Sequence, residues 1–235
     1  MKVTIVFDNN LHNPELKIEW GFSCLIEDFE KNILFDTGSN GEILLENMQK
    51  LKLNPKKTDA IIISHDHWDH TGGLKSYLNN NPNADVYLLP SFSDKLKNFV
   101  EKTGANMFEN NERKMLFSHV HTTGTLGSAI KEQSLIIETK KGLVIITGCA
   151  HPGITNIIEN VKEHLKQSIY MVFGGFHLGG HPDSALKQII EQFQKFEVKH
   201  AGPSHCSGER CRELFANAYK ENFMDIGVGK IIEII

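Results

Sequence analysis

Three histidines and two aspartates lie within the six positions 65–70 of this chain, shortly after the apolar run at 60–63. That run reads A-I-I-I and predicts a strand that is buried on both faces. His65 then leaves the end of a sheet, and His67, two residues further along, points the same way. The two imidazoles are therefore placed to reach one metal ion.

Asp69 and His70 come later in the same loop, where the adjacent Gly72 and Gly73 let the backbone bend before the next helix. This position suits a second ion beside the first. Neutral imidazole and carboxylate are ligands that zinc, iron and manganese share. Three histidines and two aspartates so close together serve no packing purpose, so this sequence predicts a metal site rather than a polar surface turn.

Length and charge limit the classes of function. The chain has 235 residues and a formal net charge of −4, and no Pro/Ser-rich linker divides it, so we predict a single domain over 1–235. Interspersed charges give no basic face for nucleic acid. The N-terminal run reaches Asp8 too soon for a secretory signal, and no apolar stretch is long enough for a membrane span. We expect a cytoplasmic protein that acts on a small molecule, with no nucleic-acid or membrane partner.

Hydrophobic periodicity predicts strands and helices along most of the chain. Three antiparallel strands open the chain, and strands and helices then alternate as in a layered α/β domain. The predicted strands cover 2–7, 22–27, 32–35, 59–63, 85–89, 134–139, 143–147, 168–173 and 226–235. The predicted helices cover 40–53, a segment from 71, 90–102, 154–165, 183–196 and 209–219. Residues 104–133 show no clear period.

The stretch T-G-C-A-H-P-G at 147–153 is the second candidate loop. His151 leaves a strand end as His65 does, so it is a candidate metal ligand. Cys149 has two open interpretations. A thiolate binds soft or borderline metals well, whereas a buried, unreactive thiol is the commoner role of a cysteine.

Two further loops present a histidine at a strand end. In G-G-F-H-L-G-G at 174–180, the glycines permit close approach of a substrate, so His177 is a candidate ligand, general acid or substrate contact, with a structural imidazole as the alternative. His205 follows a strand and precedes the helix at 209–219. His119 and His121 are two residues apart, and we interpret them as histidines at a strand edge.

The cysteines are scattered rather than arranged as a disulfide framework. They are Cys24, Cys149, Cys206 and Cys211. Cys206 and Cys211 do not have the C-x-x-C spacing of a redox pair. We therefore predict free thiols.

Five motifs follow one another between residues 35 and 208: F-D-T-G, H-D-H-W-D-H, T-G-C-A-H-P-G, G-G-F-H-L and S-H-C-S-G. Their order resembles that of the metallo-β-lactamase superfamily. The third and fourth motifs are similar to the branch labelled 7,8-dihydropterin-6-yl-methyl-4-(β-D-ribofuranosyl)aminobenzene-5'-phosphate synthase. The resemblance implies an α/β (α+β) fold, a four-layer αβ/βα sandwich with two mixed sheets face to face, helices outside and metals at one edge.

The resemblance also implies roles for single residues. His205 stands where superfamily members place their last metal histidine. Asp36 matches an aspartate that supports the metal site without binding metal, and a helix cap is a compatible alternative role. Many members have a metal-bridging aspartate at this position, whereas this chain has Cys149 there, with His151 two residues beyond.

We predict two divalent metal ions, with zinc expected and iron or manganese compatible, and no organic cofactor. One ion would be held by His65, His67 and His151, and the other by Asp69, His70 and His205. The predicted function is a metal-dependent hydrolase that acts on a small, anionic ester-type substrate through a metal-bound water. Asp69 and His177 are the candidate catalytic residues. Two alternatives stay open, a pterin-linked transferase and a non-catalytic metal or ligand sensor.

Overall fold

Two mixed β-sheets form the centre of the fold in a computed structural model that describes residues 1–27 and 30–234. In chain order, the strands are β1 (Lys2–Asp8), β2 (Phe22–Glu27), β3 (Ile33–Phe35), β4 (Ala60–Ile62), β5 (Asp85–Leu88), β6 (Met107–Glu109), β7 (Lys114–Phe117), β8 (Val120–Thr122), β9 (Leu135–Thr139), β10 (Gly142–Thr147), β11 (Ile169–Gly175), β12 (His200–Ser204) and β13 (Ile231–Glu233). The first sheet has the order β13-β1-β2-β3-β4-β5-β6, and the second has the order β12-β11-β10-β9-β8-β7.

Helices cover the outer faces of both sheets. They are α1 (Gly41–Lys50), α2 (Trp68–Thr71), α3 (Leu74–Asn80), α4 (Asp94–Thr103), α5 (Ile154–Leu165), α6 (Asp183–Lys195) and α7 (Glu209–Tyr219). Short 3-10 turns occur at Pro55–Lys57, His205–Ser207 and Lys220–Asn222. Within the described ranges, no helix is both long and apolar enough to cross a membrane.

Three hydrophobic clusters show how the layers pack. Successive side chains of a strand point to opposite faces of its sheet, and strand β10 is an example. Val144 and Ile146 join the cluster between the two sheets, while Leu143 and Ile145 join the cluster beneath α5, α6 and α7. A third cluster lies between the first sheet and the helices α1, α3 and α4. The predicted four-layer αβ/βα sandwich is confirmed.

The strand directions bring several loops to one edge of the sandwich. Strands β3, β4 and β5 are parallel, and so are β10, β11 and β12, so each set ends at one edge of its sheet. Gln133 joins the two sheets at that edge. Its backbone N–H donates to the carbonyl of Ser64 at 2.9 Å, and its side chain donates to the carbonyl of Ile63 at 2.8 Å. The loop after β4 therefore meets the loops that leave the second sheet.

The predicted elements agree with the structure over most of the chain. Helices α5 and α7 have the predicted bounds. The helix predicted at 40–53 was too long, and it ends at Lys50. The strand predicted at 226–235 is also shorter, at Ile231–Glu233, and residue 235 lies outside the described residues. Strands β6 and β7 lie within the stretch 104–133, which showed no period. Most of their side chains are exposed or half-buried, so the sequence carries no alternation of apolar and polar residues there.

Candidate metal centre

The predicted ligands meet at the edge where the carboxyl ends of β4, β10 and β12 come together. The first donor group comprises His65, Cys149 and His151, whose ligand atoms all lie within 4.8 Å of one another. His67 adjoins this group, with its Nδ1 3.1 Å from Nε2 of His65 and its ring centroid 5.0 Å from that of His151. The structure thus brings together the three histidines predicted for the first metal.

The second donor group comprises Asp69, His70, Cys149 and His205, again within 4.8 Å. The carboxylate Oδ2 of Asp69 lies 3.3 Å from Nε2 of His205 and 3.6 Å from Nε2 of His70. All three residues predicted for the second metal are therefore close together, and all three are buried.

Cys149 belongs to both donor groups, so it lies between the two predicted metal positions. Its Sγ is 3.3 Å from Nε2 of His70. The neighbouring thiol of Cys206, together with burial, raises the pKa of Cys149 above its ordinary value. A metal bound there would have to displace the thiol proton.

The other ring nitrogen of several histidines is held by the protein. This arrangement is typical of metal ligands, because it fixes the tautomer and directs the free nitrogen to the ion. The pairs are His65 Nδ1 with Ser64 Oγ at 2.9 Å, His70 Nδ1 with Asp36 Oδ2 at 2.7 Å, and His205 Nδ1 with Asn9 Oδ1 at 2.8 Å. In each case Nε2 is left to face the donor groups.

Two buried nitrogen atoms provide a direct test of the fit to a metal. Within the described part of the chain, Nε2 of His151 and Nε2 of His205 have no hydrogen-bond partner. The 3.3 Å approach of Asp69 to His205 lacks hydrogen-bond alignment. A buried polar atom left without a partner costs about 1–3 kcal/mol. A metal ion bound at each donor group would accept one of these lone pairs and remove this cost, so the residues fit metal ligation.

Asp36 supports this centre from the end of β3. Its Oδ1 accepts the backbone N–H of Ser64 at 2.7 Å, and its Oδ2 accepts the Ser64 hydroxyl at 2.8 Å and the Nδ1–H of His70. The alternative role as a helix cap is wrong, because the side chain of Asn40 accepts the first N–H groups of α1. Asp36 instead orients two segments of the metal loop.

Glu132 is a site residue that the sequence analysis missed. The carboxylate is buried and accepts three backbone N–H groups, from Cys149 at 2.9 Å and from Ala150 and His151 at 2.8 Å each. Burial raises the pKa of Glu132 to about 7 even though these N–H groups lower it. Glu132 precedes β9 and the loop follows β10, so the antiparallel pairing of β9 with β10 makes them neighbours. That predicted hairpin was the signal that could have revealed it.

The protonation states of the histidines differ within the site. Burial and the charge of His70 lower the pKa of His65 well below its ordinary value. Burial and then His177 lower the pKa of His151 to about 4. Both are neutral at pH 7, as metal ligation requires. Burial also opposes protonation of His70, but Asp36 outweighs it and raises the pKa of His70 to about 9.

His177 lies at the mouth of the site. Its side chain is exposed, and its ring centroid is 4.3 Å from that of His151. It forms a third donor group with Cys149 and Cys206, and it is absent from the two groups described above. His151, His177 and His181 line a recess of about 230 Å³. His177 is therefore accessible to a small molecule that reaches the centre.

Four of the residues at this edge have a left-handed backbone. The φ angles are 58° at Asp36, 60° at Ala150, 54° at His177 and 48° at His205. This conformation costs non-glycine residues roughly 1–2 kcal/mol each. Clustering of such residues is typical of functional sites, where the surrounding structure holds the strain.

Side chains from the first sheet lie very close to the backbone of Gly148, the residue before Cys149. A Cβ at Gly148 would overlap the hydroxyl of Ser64 and lie 2.9 Å from Oδ2 of Asp36. A larger residue would therefore push apart the loops from the two sheets, and with them the two donor groups.

The cysteines are unpaired, as predicted, whereas the prediction for His119 and His121 holds only in part. His119 and His121 contact Glu138 at 3.5 Å and 3.3 Å, and neither belongs to a donor group. His119 precedes β8, but His121 is the central residue of β8, which pairs with β7 on one side and β9 on the other, so the strand-edge prediction is wrong for His121. All four cysteines are free thiols. The Sγ of Cys206 lies 3.7 Å from the carbonyl oxygen of Cys149.

Comparison with known proteins agrees with this geometry. Residues 21–191 match the family model of the metallo-beta-lactamase superfamily. A relative from Methanocaldococcus jannaschii, named 7,8-dihydropterin-6-methyl-4-(beta-D-ribofuranosyl)-aminobenzene-5'-phosphate synthase, is 30% identical, and the match covers 98% of this chain and 95% of the relative.

Solved structures of other proteins also match the fold of this chain. Tm1679, described as a metal-dependent hydrolase of the beta-lactamase superfamily, has a TM-score of 0.86 and 27% identity, and the match covers 100% of this chain and 99% of Tm1679. A diphosphatase from the PhnP family shares the fold, with a TM-score of 0.65 and 15% identity over 98% of this chain and 96% of its own. Family match, motif order and geometry agree, and the chain belongs to the metallo-beta-lactamase superfamily.

Proposed function

We propose that the protein is a metal-dependent hydrolase that acts on a small, anionic ester-type substrate with two divalent metal ions at the centre described above. The observation that carries this proposal is the pair of donor groups that share Cys149. The first group together with the adjoining His67 offers three predicted ligands, and the second group offers three as well, a number that leaves coordination positions open for substrate, as catalytic metal sites require. Zinc is the expected metal, and iron and manganese suit the same imidazole and carboxylate ligands.

Each ion would be held by three of the predicted ligands. His65, His67 and His151 would hold one ion, and Asp69, His70 and His205 the other. Such ions supply Lewis acidity, which lowers the pKa of water towards 7 and neutralises charge that develops on an ester oxygen. Burial raises the pKa of Asp69, but His205 and His70 outweigh it and hold that pKa well below its ordinary value. Asp69 therefore stays ionised and offers an oxygen to an ion or to a transferred proton.

His177 would act on the leaving group. Its exposed imidazole lies beside His151 and outside the two donor groups that hold the predicted ligands, so it is free to donate a proton or to bind an anion. Histidine suits both tasks because its ordinary pKa is near neutrality. General acid catalysis of this kind contributes roughly 10²–10⁴-fold to a rate.

The likeness to Tm1679 supports the hydrolase proposal, because that protein is described as a metal-dependent hydrolase and matches this chain over its whole length. The test is a panel of phosphoesters, lactones and thioesters, assayed with protein of known metal content. We expect turnover of at least one class, loss of it on chelation, and recovery with zinc, manganese or iron. Anomalous scattering from crystals would count and identify the ions. Protein with two metal equivalents and no turnover of any class would contradict the proposal.

A pterin-linked synthase is the second candidate, and the M. jannaschii relative is the observation that favours it. In that case the site would bind a diphosphate leaving group while an aminobenzene nucleophile displaces it. A dihydropterin diphosphate, assayed with and without an aminobenzene riboside phosphate, separates the two. Diphosphate release that needs the second compound favours the synthase, whereas release without it favours the hydrolase.

A further inference from the structure

Two cysteines from different loops lie beside each other at the mouth of the site. The sulfur atoms of Cys149 and Cys206 belong to the donor group that also includes His177, in which all ligand atoms lie within 4.8 Å of one another. The two cysteines are 57 positions apart in the sequence, and they meet because β10 and β12 are both parallel neighbours of β11. Neither the predicted ligand sets nor the proposed hydrolysis uses Cys206.

The backbone around Gly175, at the end of β11, holds the two thiols in this position. A Cβ at Gly175 would lie 2.8 Å from Sγ of Cys206 and 3.2 Å from Cα of Cys149. The N–H of Gly175 donates to the carbonyl of Gly148 at 3.1 Å, and the N–H of Gly179 donates to the carbonyl of Cys206 at 3.1 Å. The absence of a side chain at residue 175 therefore leaves the space in which the two cysteines approach each other.

Exposure to solvent decreases from His177, which is exposed, to Cys206, which is half-buried, and to Cys149, which is buried. A small molecule that enters beside His177 therefore meets the sulfur of Cys206 before that of Cys149. The other two cysteines are buried in hydrophobic clusters, Cys24 between the two sheets and Cys211 beneath the helices of the second sheet. Cys206 is thus the most accessible thiol of the chain, and Cys149 is its neighbour.

We propose that Cys149 and Cys206 are a redox pair, which hydrogen peroxide converts into a reversible disulfide. The sulfur of Cys206 attacks one peroxide oxygen, the O–O bond breaks, and the released hydroxide leaves as water with the thiol proton. The sulfur of Cys149 then attacks the sulfur of the resulting sulfenic acid, the S–O bond breaks, and a second water leaves with the Cys149 proton. The two thiols lose two electrons in total, which reduce one hydrogen peroxide to two water molecules.

Formation of the disulfide moves the sulfur of Cys149 towards Cys206. The two sulfur atoms of a disulfide are about 2.05 Å apart, whereas those of the two thiols are separated by no more than 4.8 Å. Cys149 belongs to both metal donor groups, and a disulfide sulfur is no longer a thiolate that can bind metal. We therefore expect the oxidised protein to bind metal more weakly. The inference goes beyond the proposed function, because it holds for any reaction at this centre.

The test counts thiols in chelator-treated protein before and after exposure to hydrogen peroxide. Alkylation and mass spectrometry should find four free thiols before treatment. Treatment should remove two of them and link the peptides of Cys149 and Cys206, and dithiothreitol should restore all four. Cys206→Ser should form no such link, and Cys206→Ala repeats the test if serine disturbs folding. Cys211→Ser is the matched control, because it removes a buried thiol of the following helix and should retain the link.

Zinc titration measures the consequence for the metal centre. The oxidised wild type should bind zinc roughly 10-fold or more weakly than the reduced protein, the scale observed when a group that supports a metal site is removed. Retention of all four thiols, a link between other cysteines, or oxidation of Cys206 without a link would overturn the redox pair. Equal zinc affinity of the oxidised and reduced proteins would overturn its effect on the metals. None of these measurements uses ester hydrolysis, so failure of the proposed hydrolase would leave this inference standing, and the reverse also holds.

Discussion

The carboxylate of Glu132 accepts the backbone N–H of His151 at 2.8 Å, and through this bond a residue before β9 fixes a metal-site histidine after β10. The other carboxylate oxygen accepts the N–H groups of Cys149 and Ala150. All three donors belong to one loop, so a single buried side chain determines the backbone of the segment that supplies both Cys149 and His151.

Glu132→Gln should destabilise the protein by roughly 1–3 kcal/mol, because the amide replaces one acceptor oxygen with a donor that faces an N–H group. It should also weaken metal binding. Denaturant unfolding and metal titration measure the two effects. Glu138→Gln is the control, because it makes the same change at the far end of β9, and we expect an effect within about 0.5 kcal/mol there. Equal stability of the two variants would contradict this role of Glu132.

Asp36→Asn should lower metal affinity roughly 10- to 100-fold while the protein stays folded. The amide no longer fixes the tautomer of His70, but asparagine tolerates the left-handed backbone at this position. Titration against a competing chelator measures the affinity. Asp66→Asn serves as the control, because Asp66 is an exposed aspartate of the same loop that binds the N–H of Ser93. Similar losses in both variants would argue against an orienting role for Asp36.

His67→Ala combined with Asp69→Ala should abolish metal binding and activity and leave the fold intact. One ligand is lost from each predicted metal, while the three hydrophobic clusters are built from other residues. Elemental analysis and circular dichroism provide the measurements. Full metal occupancy in the double variant would show that the metals bind elsewhere.

Cys149→Asp should tighten binding of the second metal and preserve the fold. A carboxylate offers two oxygens without a proton to displace, whereas the raised pKa of Cys149 keeps its thiol protonated in the protein alone. Calorimetric titration gives both stoichiometry and affinity. Cys24→Ser, in the core between the sheets, tests for a general effect of removing a buried thiol. Unchanged affinity in Cys149→Asp would show that residue 149 does not face the ions.

His177→Ala should retain both metals and reduce turnover by roughly 10²-fold or more, the scale expected for a general acid. His177 is not a member of the two donor groups that hold the predicted ligands, so metal content should not change. Kinetics and elemental analysis on the same preparation separate the effects. His181→Ala removes a nearby exposed histidine and should have little effect. Loss of one metal equivalent in His177→Ala would identify it as a ligand.

Local sequence patterns were sufficient to predict many of the helices and strands and the place of the candidate site. The apolar period at 154–165 predicted α5, and the run at 60–63 predicted the strand that leads to the metal loop. The strand-end histidines also predicted where the candidate site would form, because parallel strands end at a common sheet edge. These inferences succeeded because periodicity and turn chemistry depend on residues that are close in sequence.

Tertiary structure alone decided which residues complete the site. Glu132, Asn9 and Trp20 are far in sequence from the histidines they contact, and no local pattern marks them. The position of Cys149 between the two donor groups likewise depends on how the sheets pack, since its partner His70 comes from the first sheet's loop. Such contacts arise from strand pairing and sheet packing, which join distant segments, and the burial that shifts their pKa values exists only after the two sheets have come together.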